Sequence, residues 1–139
     1  MDDWMSFCIG PRALKVFVEK TLRKNLESYG VKTSLGPFVI AVRYNDRVTL
    51  KRLSEIMVVD KSMTTRAVRE MIEADLVRNL SDDSRKYKLT LTKKGYEFSD
   101  VYERSMEEVW SSLLADLNGR EKETLKTIVR KMNKVIETS

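Results

Sequence analysis

Residues 60–75 read DKSMTTRAVREMIEAD, and their polar members are spaced in a way that could do chemistry. At 100° per residue, Ser62, Thr65, Arg66, Arg69 and Glu73 gather on one side of a helix, with Thr64, Ala67, Val68 and Met71 opposite. One side can enter a core, while the other offers hydroxyls and guanidinium groups to a polar partner. A guanidinium supplies charge-assisted hydrogen bonds in a planar fork that suits anionic oxygens. Hydroxyls in the first turns of a helix, at Ser62, Thr64 and Thr65, stand beside the unpaired N–H groups of the helix start, a position that favours phosphate oxygens. A second basic group, Arg85, Lys86 and Lys88, follows shortly after in the chain.

Catalysis has little to work with. The 139 residues contain no histidine and a single cysteine, Cys8, so neither a zinc site of nitrogen and sulfur ligands nor an imidazole-activated nucleophile can be assembled. An internal disulfide is excluded, which suits a reducing cytoplasm. The five glycines, at positions 10, 30, 36, 95 and 119, match no phosphate-cradling loop. No catalytic residue, metal site or cofactor is expected. Apolar runs reach nowhere near the ~18 residues of a membrane span, and no export signal is visible, so a soluble cytoplasmic protein without a membrane partner is expected. A hydrophobic content of 42% is enough for a core in a single domain.

The elements that would position these groups follow from periodicity. Leu14, Phe17, Val18, Leu22, Leu26 and Tyr29 recur at spacings of three and four, which predicts a helix from Ala13 to Tyr29, with Pro11 in its first turn and Gly30 as its stop. A second helix is expected from an N-cap at Ser34 to Asn45 and Asp46, and a third from Thr49 with the stripe Leu50, Leu53, Ile56 and Met57. Val58 and Val59 then form a tight connection to Asp60, the N-cap of the helix quoted above. After Ala74 the period changes to two. Tyr87, Leu89 and Leu91 predict a half-buried strand, with Leu76–Leu80 as its antiparallel partner and a turn at Ser81, Asp82, Asp83 and Ser84. Thr92 caps a long helix with the stripe Tyr102, Met106, Val109, Trp110, Leu113 and Leu117. Asn118 and Glu121 form a capping box for the last helix, striped by Leu125, Ile128, Val129, Met132, Val135 and Ile136.

A short helix, a tight turn, a second helix and a two-stranded hairpin describe a winged helix-turn-helix, which places its second helix in a DNA major groove. The fold expected is mainly α with a small β-hairpin wing. The charge distribution agrees, because Arg47 to Lys94 holds 12 Lys and Arg against 7 Asp and Glu, leaving 14 against 14 elsewhere. The whole net charge of +5 therefore sits in this segment. On double-stranded DNA, Arg66 and Arg69 would contact phosphates or a guanine edge, and Ser62, Thr64 and Thr65 would meet phosphates. Arg85 at the hairpin tip would reach the minor groove, with Lys86 and Lys88 on the backbone.

The run TLKRLSEIMVVDKSMTTRAVREMIEADLV followed by DSRKYKLTLTKKG resembles the MarR family of winged-helix transcription regulators. Lys61, Ser62, Thr65 and Arg66 match the family's K-S-x-x-T-R recognition helix. Asp83 and Arg85 match the D-x-R of its wing, and Leu91, Thr92 and Gly95 match its L-T-x-x-G. The similarity spans nearly the whole chain. Val58 and Asp75 stand where the family often carries glycine, and the wing turn is shorter than usual. The resemblance implies a lobe at residues 34–94 that binds DNA, flanked by dimerisation helices in residues 1–33 and 95–139. It also implies a homodimer on a pseudo-palindromic operator, commonly acting as a repressor and released by a small-molecule effector whose binding residues are unknown. Some relatives sense peroxide through a cysteine near the start of the first helix, which makes Cys8 a candidate redox residue, with Arg12 one turn away to lower its thiol pKa. A different reading of the same fold is a protein-interaction module.

Overall fold

The structure, a computed structural model, describes residues 3–83 and 85–139, with side chains from residue 10 onward. Among these residues the chain runs through α1 (Asp3–Leu26), 3-10 turns at Glu27–Tyr29 and Thr33–Leu35, α2 (Gly36–Arg43), α3 (Leu50–Met57) and α4 (Lys61–Glu73). It continues through β1 (Val77–Asn79), β2 (Leu89–Leu91), α5 (Lys93–Leu113) and α6 (Gly119–Glu137). The mainly helical architecture with a small hairpin agrees with the sequence reading.

Local chemistry sets most boundaries. Thr49 caps α3 by accepting the Arg52 N–H (3.2 Å), and Asp60 caps α4 by accepting the Met63 N–H (2.7 Å). Thr92 caps α5 by accepting the Gly95 N–H (3.0 Å). At the other end of α4 the Leu76 N–H donates to the Met71 carbonyl (2.9 Å) and the Asp75 N–H to that of Ile72 (3.0 Å), a Schellman closure. Closures of this kind need a left-handed residue, and Asp75 (φ 59°) supplies it here as Val58 (φ 55°) does after α3. Those are the two positions where the resembling family often has glycine. Gly95 is required for another reason: a Cβ there would overlap the Leu76 carbonyl oxygen.

Several boundaries differ from expectation. Helix α1 begins well before Ala13 and passes through Pro11, which forgoes one backbone hydrogen bond without ending the helix. Ser34 lies inside a 3-10 turn and caps nothing; α2 starts just after that turn with Pro37 at its beginning. The strands pair only over Val77↔Leu91, Arg78↔Thr90 and Asn79↔Leu89, so Tyr87 falls outside the ladder. Beyond that register one backbone bond remains, the Leu80 N–H donating to the Lys88 carbonyl (2.8 Å), and the Asn79 side-chain carbonyl oxygen accepts the N–H groups of Ser81 (3.0 Å) and Lys88 (2.9 Å). Ser84, expected in the turn, lies outside the described residues. Leu117 lies past the end of α5.

The chain forms two compact units, Met1–Met106 and Glu107–Ser139. In the first, one core is built from Leu26, Val39, Leu53, Met71, Leu89 and Phe98, all buried and each drawn from a different helix or strand. Each such side chain contributes about 1.5–3 kcal/mol relative to exposure. Tyr29 meets Phe98 edge-to-face at 5.4 Å. Arg43 fastens α2 to α5: its guanidinium donates to the Ser99 hydroxyl (2.6 Å) and the Asp100 carboxylate, and lies against the rings of Tyr44 and Tyr96. The Tyr44 hydroxyl donates to Glu103 (2.6 Å). In the second unit, Asn118 and Glu121 make the reciprocal capping box expected for α6. Ile128, Val129, Met132, Val135 and Ile136 lie exposed along that helix. No helix among the described residues is long and apolar enough to cross a membrane.

Candidate nucleic-acid interface

Helix α4 has the two sides its spacing demanded. Thr64, Ala67, Val68 and Met71 are buried, and Ser62, Arg66, Arg69 and Glu73 are turned outward on the other side. Thr65 is half-buried, its hydroxyl donating to the Lys61 carbonyl (2.8 Å). Ser62 donates to the Asp60 carboxylate (3.0 Å), which already holds the Met63 N–H. These two bonds, the Met63 N–H first, hold the Asp60 carboxyl below its ordinary pKa, with smaller help from Arg66. Lys61, Ser62, Thr65, Arg66 and Arg69 together line an open groove of about 510 Å³ along the helix.

The electrostatics of this face are set as much by what has been turned away as by what is present. Glu70, one turn from Arg66, is engaged by Lys32 at 3.1 Å. Among the described residues neither Arg66 nor Arg69 forms a salt bridge, so both guanidinium groups keep donors for an outside anion.

Thr64 corrects the sequence reading. It was expected to meet phosphate with Ser62 and Thr65, but it is fully buried. Its hydroxyl accepts from Ser54 on α3 (2.7 Å) and donates to the Asp60 carbonyl (2.9 Å). Adjacent threonines have the same chemistry but point 100° apart on a helix, and Thr64 falls on the core side. Its role is to join α3 to α4 across the tight turn.

The wing presents Arg85, Lys86 and Lys88, all exposed. Its short turn is shaped by side chains: the Ser81 hydroxyl accepts the Asp83 N–H (3.2 Å), and the Asp83 carboxylate accepts the Arg85 N–H (2.9 Å). The Arg85 side chain stays almost wholly in solvent, with Nε 3.5 Å from Asp83. The wing is tied to the connection between α2 and α3 by the Leu89 N–H donating to the Val48 carbonyl (3.0 Å) and by the Thr90 hydroxyl donating to Asp46 (2.8 Å). Arg85, Lys86 and Lys88 join Lys51 of α3 and Lys61 of α4 around a mainly apolar groove of about 730 Å³. Lys51 was missed in the sequence because its basic neighbours in this groove come from other elements; the only signal was its place in the basic segment. The side chain of Cys8 lies outside the described residues.

No family model matches the chain. A curated relative, the uncharacterized HTH-type transcriptional regulator YybA of Bacillus subtilis (strain 168), is 26% identical over 117 residues, covering 81% of this chain and 78% of that protein. Among solved structures, a MarR transcriptional regulator from Methanosarcina mazei Go1 superposes with a TM-score of 0.83 at 20% identity, covering 99% of each chain. The S. aureus MepR–DNA complex gives a TM-score of 0.79 at 16% identity, covering 94% of this chain and 96% of that one.

Proposed function

We propose that this chain, which has the MarR-type winged-helix fold, is a sequence-specific DNA-binding transcription regulator. The observation that carries the reading is the outward side of α4, where Arg66 and Arg69 stand without salt-bridge partners among the described residues while Thr64, Ala67, Val68 and Met71 anchor the opposite side. In a major groove, Arg66 and Arg69 bind a guanine edge or phosphates, and Ser62 and Thr65 bind phosphate at the helix start by turning their hydroxyls away from Asp60 and the Lys61 carbonyl. Lys86 and Lys88 hold the backbone beside the wing, and Arg85 extends toward the minor groove. The MepR–DNA complex, built on the same fold, supports DNA as the partner.

The regulator acts as a homodimer, and the exposed apolar stripe of α6 supports this, since Ile128, Val129, Met132, Val135 and Ile136 gain by leaving water. Residues 34–94 form the DNA-binding part and the flanking helices the dimer. Two recognition helices then address half-sites about 10 bp apart, and occupancy of the operator represses transcription in the cytoplasm until a small molecule releases it. Selection of bound duplexes from a random pool by the full chain tests the reading. An enriched inverted repeat supports it; a pool that stays random contradicts it.

A further inference from the structure

The first turn of α4 carries a side chain that phosphate chemistry does not use. Met63 is 50% exposed, and its backbone is held in place because its N–H donates to the Asp60 cap at 2.7 Å. It stands beside Ser62 and one turn before Arg66, and it is not among the residues packed on the core. A recognition helix places its N-terminal residues against base edges. The edges in a major groove offer hydrogen-bonding groups and one apolar group, the C5 methyl of thymine. A thioether chain is unbranched and polarizable, so it can follow a methyl group without a fixed rotamer.

We propose that Met63 is a specificity-determining residue that reads a thymine methyl in each half-site. The inference rests on the DNA-binding reading and adds a base preference to it. Arg66 and Arg69 contribute charge and hydrogen bonds, whereas Met63 contributes an apolar contact that neither cytosine nor uracil can return.

The test replaces each thymine of a duplex enriched from the random pool, one at a time, by deoxyuridine. That deletes one methyl and leaves the hydrogen-bonding edge of the base pair intact. Wild-type protein should lose about fourfold in affinity at one position per half-site, the worth of one methyl group removed from water. Met63→Ala should bind thymine and uracil equally there, and Met63→Leu should keep the discrimination. Because Met63 is half-exposed and alanine favours helix, both variants should fold, which circular dichroism checks. Wild-type affinity indifferent to every uracil overturns the proposal, as does undiminished discrimination in Met63→Ala. Failure of the DNA-binding reading shows earlier and separately, as absence of any enriched duplex, and overturns this inference with it.

Discussion

Replacing Thr64 by valine separates a residue that builds the interface from one that touches DNA. Valine has nearly the same shape, so the substitution leaves no large cavity beside Ala67, Val68 and Met71, and the loss is confined to the hydroxyl. That hydroxyl donates to the Asp60 carbonyl and accepts from Ser54. The Asp60 carbonyl still receives the Thr64 N–H at 3.1 Å, so it is not orphaned. Ser54 is only half-buried, so water can reach part of its freed hydroxyl. With one net hydrogen bond lost and a second partly replaced, unfolding in urea should show a cost of about 1–2 kcal/mol. The salt dependence of DNA affinity should keep its wild-type slope, because no phosphate contact is removed. Arg66→Ala should behave in the opposite way, with stability nearly unchanged and a slope shallower by about one. A Thr64→Val protein of wild-type stability whose affinity slope had dropped would refute the buried, positioning role.

Val58 is a β-branched residue in the left-handed region and 84% exposed, so Val58→Gly relieves strain and sacrifices no packing; after the entropy of glycine is set against it, stability should rise by about 0.5–1 kcal/mol in urea unfolding. Asp60 titrates below its ordinary pKa, so its contribution to holding the first turn of α4 is complete at neutral pH and is lost as the pH falls through the lowered value. The protection of the Met63 amide against exchange, relative to an unstructured peptide at the same pH, should fall over that acidic range, and Asp60→Asn should flatten the dependence. Met132→Lys places a charge in the middle of the exposed α6 stripe; sedimentation should show the variant shifted toward monomer, whereas an unchanged dimer would exclude that stripe from the interface.

Helix α4 and its cap could be read directly from the chain because a strong 3.6-residue period and an aspartate at the right offset reinforce one another. The same holds for the capping box before α6 and for the period-two run that became β2. Reading failed where the deciding partner lies far away in sequence. Thr64 is the exception, because the spacing itself sets it with Ala67, Val68 and Met71, against its reading as a phosphate contact, and the partners that claim its hydroxyl, the Asp60 carbonyl and Ser54, lie close by in the chain. The groove joining Lys51 and Lys61 to the wing requires three elements to meet. The early start of α1 was hidden by Pro11, whose preference for first turns is a tendency that a long helix can override. Val58 and Asp75 illustrate a different case: the turn geometry demanded a left-handed residue, and the chain adopts it without the glycine that would make it easy.

Docking of an anionic duplex on the outward side of α4 depends on the two guanidinium groups that form no salt bridge among the described residues. Titration of the enriched duplex with the Arg66→Ala/Arg69→Ala double variant, over a range of salt concentrations, measures that dependence. Loss of two charge-assisted contacts should weaken binding about a hundredfold and make the salt slope shallower by about two. A folded double variant that binds with wild-type affinity and wild-type slope would show that the duplex, if it binds at all, docks elsewhere.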